Sequence, residues 1–283
     1  MNEETLEKFW YWIRERENIR YKKERLVPRC RWTDDPILQT YHFCNVHRED
    51  DRGTKEIRAV VESYFPAEDL DTVTVSCLPT VYLMARLFNH APTLERVLTW
   101  TNDGASIEEA FENLKDYRDQ GNKIFNPAYV VSTAGQRVDK IDYVLSMVLA
   151  AQKVIIPTDS LANAHAALSS IAGLGGTGFL AGQVIADLRN DRYLVAAAEH
   201  QDWCTPGPGS IKGLDFIFGE GTTTKGNFMA RMSILYDVMP EDVWAMEIHA
   251  QDLQNCLCEF QKYMKYSNPR TKSRKRYYKR EKK

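Results

Sequence analysis

Apolar positions recur along this chain with a helical rather than a strand period, and the pattern predicts an all-α protein. In residues 3–25, Leu6, Phe9, Trp10, Trp12 and Ile13 fall among charged residues at spacings that lay one apolar stripe along a helix. Ile57, Val60 and Val61, then a run from Leu78 to Phe88, then Leu94, Val97 and Leu98 mark three more helices with core faces. Ser106-Ile-Glu-Glu109 has the form of a capping box opening a helix that ends near Gly121. Residues 140–151, 161–171, 228–236 and 241–263 supply the remaining helical patterns. Only residues 123–133 look strand-like, and they are expected to form an extended loop. There Asn126, Tyr129, Ser132 and Thr133 suit either a polar lining or ordinary turn chemistry.

Asp35 directly before Pro36 marks a helix start, because proline suits the first turn and the carboxylate can cap its free amides. The helix is expected to run from Pro36 to about Glu49, putting Tyr41, Asn45 and Arg48 on one face at i, i+4 and i+7. A phenol, a carboxamide and a guanidinium in that arrangement suit the reading of a base edge and a phosphate. They equally suit a hydrogen-bonded cluster pinning the amino-terminal helix. On the last helix Asn255, Glu259 and Lys262 share a face in the same way.

Residues 161–188 read as two helices meeting at a glycine-dense turn, a helix-hairpin-helix. Gly173, Gly175 and Gly176 permit the turn, and the amides around Thr177 would open a new helix whose unpaired N–H groups and dipole attract phosphate. A plain helix–glycine–helix corner is the alternative. Beyond it lie Asp202 and the loop Gly207-Pro-Gly-Ser-Ile-Lys-Gly213, whose glycines allow close approach of a ligand or a backbone.

Charge alters this picture more than composition does. The 283 residues carry a formal net charge of −2. From Lys262 onward, eleven Lys or Arg stand against Glu281 alone, so the tail carries +10 and the rest of the chain about −12. With tyrosines interleaved, that tail suits a disordered nucleic-acid arm. Residues 1–266 are expected to form one helical domain and residues 267–283 a basic DNA-binding tail. Residues 14–31 hold eight basic residues, a second positive surface. The six cysteines lack metal-site spacing and are expected to be buried thiols; His42 and His47 lack a third ligand, and no metal is expected. No membrane span or signal peptide is legible, which points to a cytoplasmic protein.

Five separated motifs carry a resemblance. They are Trp32-Thr-Asp-Asp-Pro-Ile-Leu38; Tyr41-His-Phe-Cys-Asn-Val-His-Arg48 with Asp51-Arg52; Gly178-Phe-Leu-Ala-Gly-Gln-Val-Ile-Ala-Asp-Leu188; Asp202 with the 207–213 loop; and Asp252-Leu-Gln-Asn-Cys-Leu-Cys-Glu-Phe-Gln-Lys-Tyr263. Together they resemble the α-glutamyl/putrescinyl thymine pyrophosphorylases, the amino acid:DNA transferases of phage thymine hypermodification. That family is related to the helical domain of 5-hydroxymethyluracil DNA kinases and, through the hairpin, to helix-hairpin-helix DNA glycosylases that flip a base out of the duplex.

The resemblance implies a glycosylase-like helical fold and an enzyme working on double-stranded DNA in the cytoplasm of the bacterial host. Acting after a 5-hydroxymethyluracil DNA kinase, it would replace pyrophosphate on the 5-methylene of a modified thymine with the amine or hydroxyl of an amino acid or polyamine. No Gly-x-x-x-x-Gly-Lys-Ser/Thr loop for ATP is present. In that reading Asp202 is the base or holds the amine, with Asp35 and Glu259 as the other carboxylate candidates. Arg48, Arg52, Lys212 and the amides near Gly207, Gly209 and Ser210 would take pyrophosphate. Trp32, Tyr41, Phe43 and Asn45 would hold the base, Asn255 and Lys262 would complete the site, and Gly173, Gly175, Gly176 and Thr177 would grip the DNA backbone. No cofactor is implied, though the acidic runs Asp34-Asp35 and Glu49-Asp-Asp51 leave magnesium open alongside pyrophosphate. A glycosylase acting on a modified pyrimidine and a non-catalytic DNA-binding module are the competing readings.

Overall fold

The computed structural model describes residues 1–68, 71–126, 131, 133, 135–174, 176 and 178–267. Among them it is all-helical, with thirteen α-helices and no strand. In chain order these are α1 (Glu3–Glu24), α2 (Pro36–Thr40), α3 (Arg52–Tyr64), α4 (Thr72–Phe88), α5 (Ala91–Asn102), α6 (Ile107–Asp119), α7 (Lys140–Ala151), α8 (Leu161–Ser169), α9 (Phe179–Leu188), α10 (Pro208–Phe218), α11 (Phe228–Asp237), α12 (Glu241–Trp244) and α13 (Ala250–Tyr266). Among the described residues no helix is long and apolar enough to cross a membrane. The chain folds into two compact units. One joins Met1–Asp51 to the chain from Pro206 onward, and the other is Arg52–Thr205.

In the first unit, α1 buries the stripe read from its sequence: Leu6, Phe9, Trp10, Trp12 and Ile13 are all in the core. Phe9 meets Phe260 of α13 edge-on at 5.1 Å between ring centroids. The Asn2 side chain caps Thr5 N–H at 2.9 Å, and the Asn2 amide donates to the Ile217 carbonyl at 2.7 Å, tying the start of α1 to the end of α10. Helices α10 and α13 form this unit's most extensive helix pair. They approach closely because Gly209 and Gly213, one turn apart, face α13. A Cβ on Gly209 would lie 2.3 Å from the Cys258 sulfur, and one on Gly213 would lie 2.3 Å from the Leu257 backbone carbonyl. Glycines in this loop were open to a ligand or a backbone on sequence; these two meet a helix.

Two expected helices are shorter than their patterns. The helix capped by Asp35 ends at Thr40 rather than near Glu49: Tyr41 is extended (φ −110°, ψ 148°), and helical geometry returns only as a 3-10 turn at Arg48–Asp50. The backbone groups of Phe43, Cys44 and Asn45, which an α-helix would pair internally, bond instead to side chains: those of Arg16 and Glu259, far away in the chain, and that of Asp51 nearby. Tyr41, Asn45 and Arg48 therefore share no helical face. The last pattern divides into α12 and α13 near Glu247, whose φ of +56° no continuing helix accepts.

In the second unit, α4 packs against α9, α7 and α5 around a core that includes Leu78, Leu83, Phe88, Phe111, Val144 and Val184. The capping box at Ser106 and Glu109 forms as its sequence predicts. A buried ion pair joins Arg86 of α4 to Asp187 of α9, and Tyr82 donates to Asp191 at 2.8 Å. Helices α8 and α9 pack against each other. Ser160 caps α8 and itself donates to Glu199 at 2.7 Å, while Glu199 also accepts the Leu161 amide. Gly173 (φ +95°) and Gly178 (φ +73°) each occupy left-handed geometry where a Cβ would meet Met147 or His165 within 3 Å. Gly176 also has positive φ but opens onto free space. Gly175 and Thr177 lie outside the described residues, as do Tyr129, Ser132 and the tail from 268. Of the cysteines, Cys204 and Cys256 are buried as expected, whereas Cys30 and Cys77 are exposed.

The two glycines of α10 make different demands. The Cys258 thiol opposing Gly209 can swing aside, whereas the Leu257 backbone opposing Gly213 cannot. Gly213→Ala is expected to destabilise the protein by about 1–3 kcal/mol and Gly209→Ala by clearly less. Paired thermal or urea unfolding curves check this; equal effects would show that α13 yields at both positions.

Candidate functional site

The first unit holds a polar assembly built on residues 43–45. The Arg16 side chain leaves α1 at a position in register with its apolar stripe and is only 2 % exposed. Its guanidinium donates to the carbonyls of Cys44 (3.1 Å) and Phe43 (3.2 Å) and to Asn45 Oδ1 (3.2 Å). From the other side, Cys44 N–H donates to Glu259 Oε2 and Asn45 N–H to Asp51 Oδ1, each at 2.9 Å. Asn45 Nδ2 reaches the Asp50 carbonyl at 2.8 Å, and Asn255 Nδ2 reaches the Asn45 carbonyl at 3.3 Å. This short segment is therefore fixed by one cation, two carboxylates and two carboxamides.

Charges of both signs crowd around it. Lys262, one turn beyond Glu259 on α13, donates to that carboxylate at 2.6 Å and sits 4.5 Å from the centroid of the Phe43 ring. Lys23 lies 4.8 Å over Trp32, whose indole N–H is held by the Val27 carbonyl at 2.8 Å. Burial, with Arg16 and Arg29 nearby, pushes Lys23 down to about 8 against the pull of Asp51. Desolvation, together with Lys262, Lys23 and Arg16, pushes His42 down to about 4. Burial pushes the Asp51 carboxyl up to about 6, more than its bond from Asn45 N–H and the charge of Arg48 can offset.

A second cluster centres on Asp252 at the start of α13. It accepts Arg48 N–H at 3.0 Å and His249 Nδ1 at 2.6 Å, with His47 Nδ1 at 3.5 Å. Burial alone would raise this carboxyl, but the bonds from His249, His47 and the Arg48 amide outweigh it and hold it well below the usual range. The bond to Asp252 correspondingly raises His47. Among the described residues no three His, Cys, Asp or Glu side chains are arranged to hold a metal ion.

Several residues singled out from sequence belong to this unit. Asn45, Glu259, Lys262 and Asn255 meet at the 43–45 segment, and Arg48 is buried beside Asp252. Asp35 commits both oxygens to structure: Oδ1 caps Ile37 and Leu38, and Oδ2 accepts the Tyr263 hydroxyl at 2.7 Å. Phe43 lies in the core between Trp12 and Tyr263, while Tyr41 packs its ring against Tyr266 at 4.1 Å. Ser210 is fully buried, bonded to Gly207 and to Gln254, and Lys212 is exposed. The second unit carries Asp202, exposed on a turn, and Arg52, exposed and paired with Glu56 at 2.6 Å. It also carries Gly173 and Gly176 of the hairpin. Arg16, Lys23 and His249 were not singled out, and His47, Asp51 and Asp252 were named without being assigned a role in the site. For Arg16 a signal existed, a charged residue seven positions after Phe9 on the buried stripe.

A family model described as "5-hmdU DNA kinase, helical domain" matches residues 3–273, and the chain belongs to that family. A curated relative, the 5-hmdU DNA kinase of Bacillus phage SP10, is 24% identical over 305 residues. The alignment covers 93% of this chain and 46% of the relative, so the chain spans about half of that protein's length. No solved structure matches.

Asp51 gives the site a measurable signature. Because its folded pKa lies above the ordinary value of 3.8, the folded protein holds this proton more tightly than the unfolded chain. Stability from this group is thus lost as pH rises from about 4 to about 6 and stays lost above. Asp51→Asn keeps an acceptor for Asn45 N–H but removes the titration. Its stability relative to the parent is expected to improve between pH 4 and pH 8 by up to about 3 kcal/mol. A pH-independent difference in chemical unfolding would contradict the assignment.

Proposed function

We propose that this protein is a transferase of phage thymine hypermodification that exchanges pyrophosphate on a 5-pyrophosphorylmethyluracil base in DNA for an amino acid or polyamine. The observation that carries this reading is the convergence, in a member of this kinase-domain family, of carboxylates and cations on one clamped backbone segment: Asp51 and Glu259 with Arg16, Lys23 and Lys262.

The reaction needs what such a set supplies. The C–O bond to pyrophosphate breaks with its electron pair leaving on oxygen, and nearby cations stabilise that charge. The amine nitrogen forms the new C–N bond and surrenders a proton to a carboxylate. We assign the amine to Asp202 or Glu259, with Asp35 the weaker candidate because both its oxygens are engaged. Trp32 and Tyr41 offer faces to a flipped base, while buried Phe43 and Ser210 serve by positioning. In this reading the α8–α9 hairpin, including Gly175 and Thr177, and the basic tail grip duplex DNA in a glycosylase-like manner, selecting register rather than chemistry. The protein would act in the host cytoplasm, after a 5-hydroxymethyluracil DNA kinase.

Incubation with DNA containing 5-pyrophosphorylmethyluracil and mixed amino acids and polyamines, followed by nucleoside mass spectrometry, is expected to show an amine adduct and one pyrophosphate per adduct. Free base would instead identify a glycosylase, and salt-sensitive binding without product a DNA-binding module. Asp202→Asn should spare DNA binding and abolish adduct, whereas a bulky residue at Gly175 should weaken binding to any DNA. Full adduct formation by folded Asp202→Asn would remove Asp202 from the chemistry.

A further inference from the structure

Asp51 is held at two points. It closes the 3-10 turn Arg48–Asp50, where its backbone N–H donates to the Arg48 carbonyl at 3.1 Å. Its side-chain Oδ1 accepts Asn45 N–H at 2.9 Å. Oδ2 takes no hydrogen bond or ion pair among the described residues. The residue is half-buried, and Oδ2 is not one of the buried polar atoms without a partner, so this oxygen faces solvent. One oxygen is thus fixed by the backbone and the other is open, on the same clamped segment that Glu259 and Asn255 reach.

Neighbouring acids of this unit are occupied differently. Asp35 commits both oxygens to structure, and Asp252 is buried among the Arg48 amide, His249 and His47. Glu17 is bound by Arg20, and Glu259 Oε2 carries both Cys44 N–H and the Lys262 ammonium. Asp51 also differs in base strength. Burial pushes its carboxyl up to about 6, Glu259 adds to the rise, and Asn45 N–H, Arg48 and Arg16 only partly oppose it. At that value it is ionised at pH 7, yet binds a proton roughly a hundredfold more tightly than an ordinary aspartate. A general base works best when its pKa lies near the working pH.

We infer that Asp51 Oδ2 is the atom that takes the proton from the incoming amine in the transfer reaction proposed above, on which this assignment rests. Holding the amine stays with the carboxylates already named, and Asp51 supplies the proton transfer. An amine arrives at neutral pH as an ammonium ion and cannot attack until it loses a proton. The N–H bond breaks and its proton passes to Oδ2. The electron pair freed on nitrogen forms the C–N bond at the 5-methylene, and the C–O bond breaks with its pair on the departing pyrophosphate. Open to solvent, Oδ2 then releases the proton to water. The charged and titratable groups that face Asp51 are Arg16 and Lys23 of α1, Arg48 of the 3-10 turn and Glu259 of α13, with the Cys44 thiol on the segment itself. Once protonated, Asp51 accepts nothing, so the reaction slows as pH falls through about 6.

The test is the pH profile of adduct formation by the full chain, with 5-pyrophosphorylmethyluracil DNA and a primary amine that the parent transfers, both saturating. The parent is compared with Asp51→Asn, which keeps an acceptor for Asn45 N–H, and with Asp51→Glu; each variant is checked for an unchanged helical spectrum. The parent's kcat should fall below about pH 6. At pH 7, Asp51→Asn should lower kcat at least about a hundredfold and leave the KM for the amine within about threefold. It should also lose the acid limb, and its deficit should narrow towards alkaline pH, where the amine arrives already deprotonated. Asp51→Glu should recover part of the rate together with an acid limb. An Asp51→Asn protein that keeps the parent's limb overturns the assignment. So does a deficit of the same size at every pH, which marks a structural role. In both cases the parent still makes adduct, and the transferase reading stands. A parent that yields no adduct at any pH overturns the transferase reading, and this assignment with it.

Discussion

The first unit depends on how a buried guanidinium is satisfied. Arg16 is carried into the interior on the same stripe as Phe9, Trp12 and Ile13, and once there it must be met by acceptors. It takes them from the backbone of Phe43 and Cys44 and from Asn45, and charge-assisted bonds of this kind contribute about 1.5–3 kcal/mol each. Those carbonyls lie in a segment that leaves helical geometry after Thr40, where Tyr41 is extended. The released Cys44 and Asn45 amides then recruit Glu259 and Asp51, which draw the carboxylates and Lys262 to the same place.

The close seating of α13 makes this geometry possible. Glu259 and Lys262 lie on the helix that Gly209 and Gly213 admit against α10, and Asp252 at its start holds Arg48 N–H between two imidazoles. Packing without side-chain bulk thus sets the position of charged groups on the same helix. Positioning of this sort differs from contact with a ligand, and the buried Ser210 and Phe43 are examples of the former.

Much of the helical framework was legible because it is local. The α1 stripe, the Asp35–Pro36 start, the Ser106 capping box and the left-handed glycines at 173 and 176 each depend on neighbours a few residues away. What was not legible depends on distance along the chain. Beyond the end of α2, residues 43–45 are bonded by Arg16, 27 to 29 positions earlier, and Asp51 and Glu259 act on adjacent amides although they are far apart in sequence. Likewise the glycines of the 207–213 loop announced a close approach without saying that two of them face a helix. Spacing on α13 did place Asn255, Glu259 and Lys262 together, and all three reach the 43–45 segment or its immediate partners.

The dependence on Arg16 is tested most directly by amide hydrogen exchange, resolved residue by residue, on Arg16→Lys. Lysine keeps the charge but cannot fork to two carbonyls and a carboxamide. The account predicts faster exchange at Cys44 and Asn45, with protection of α1, α10 and α13 retained. Unchanged protection at those two amides would contradict it, because the segment would then be held without the guanidinium on which the site is said to be built.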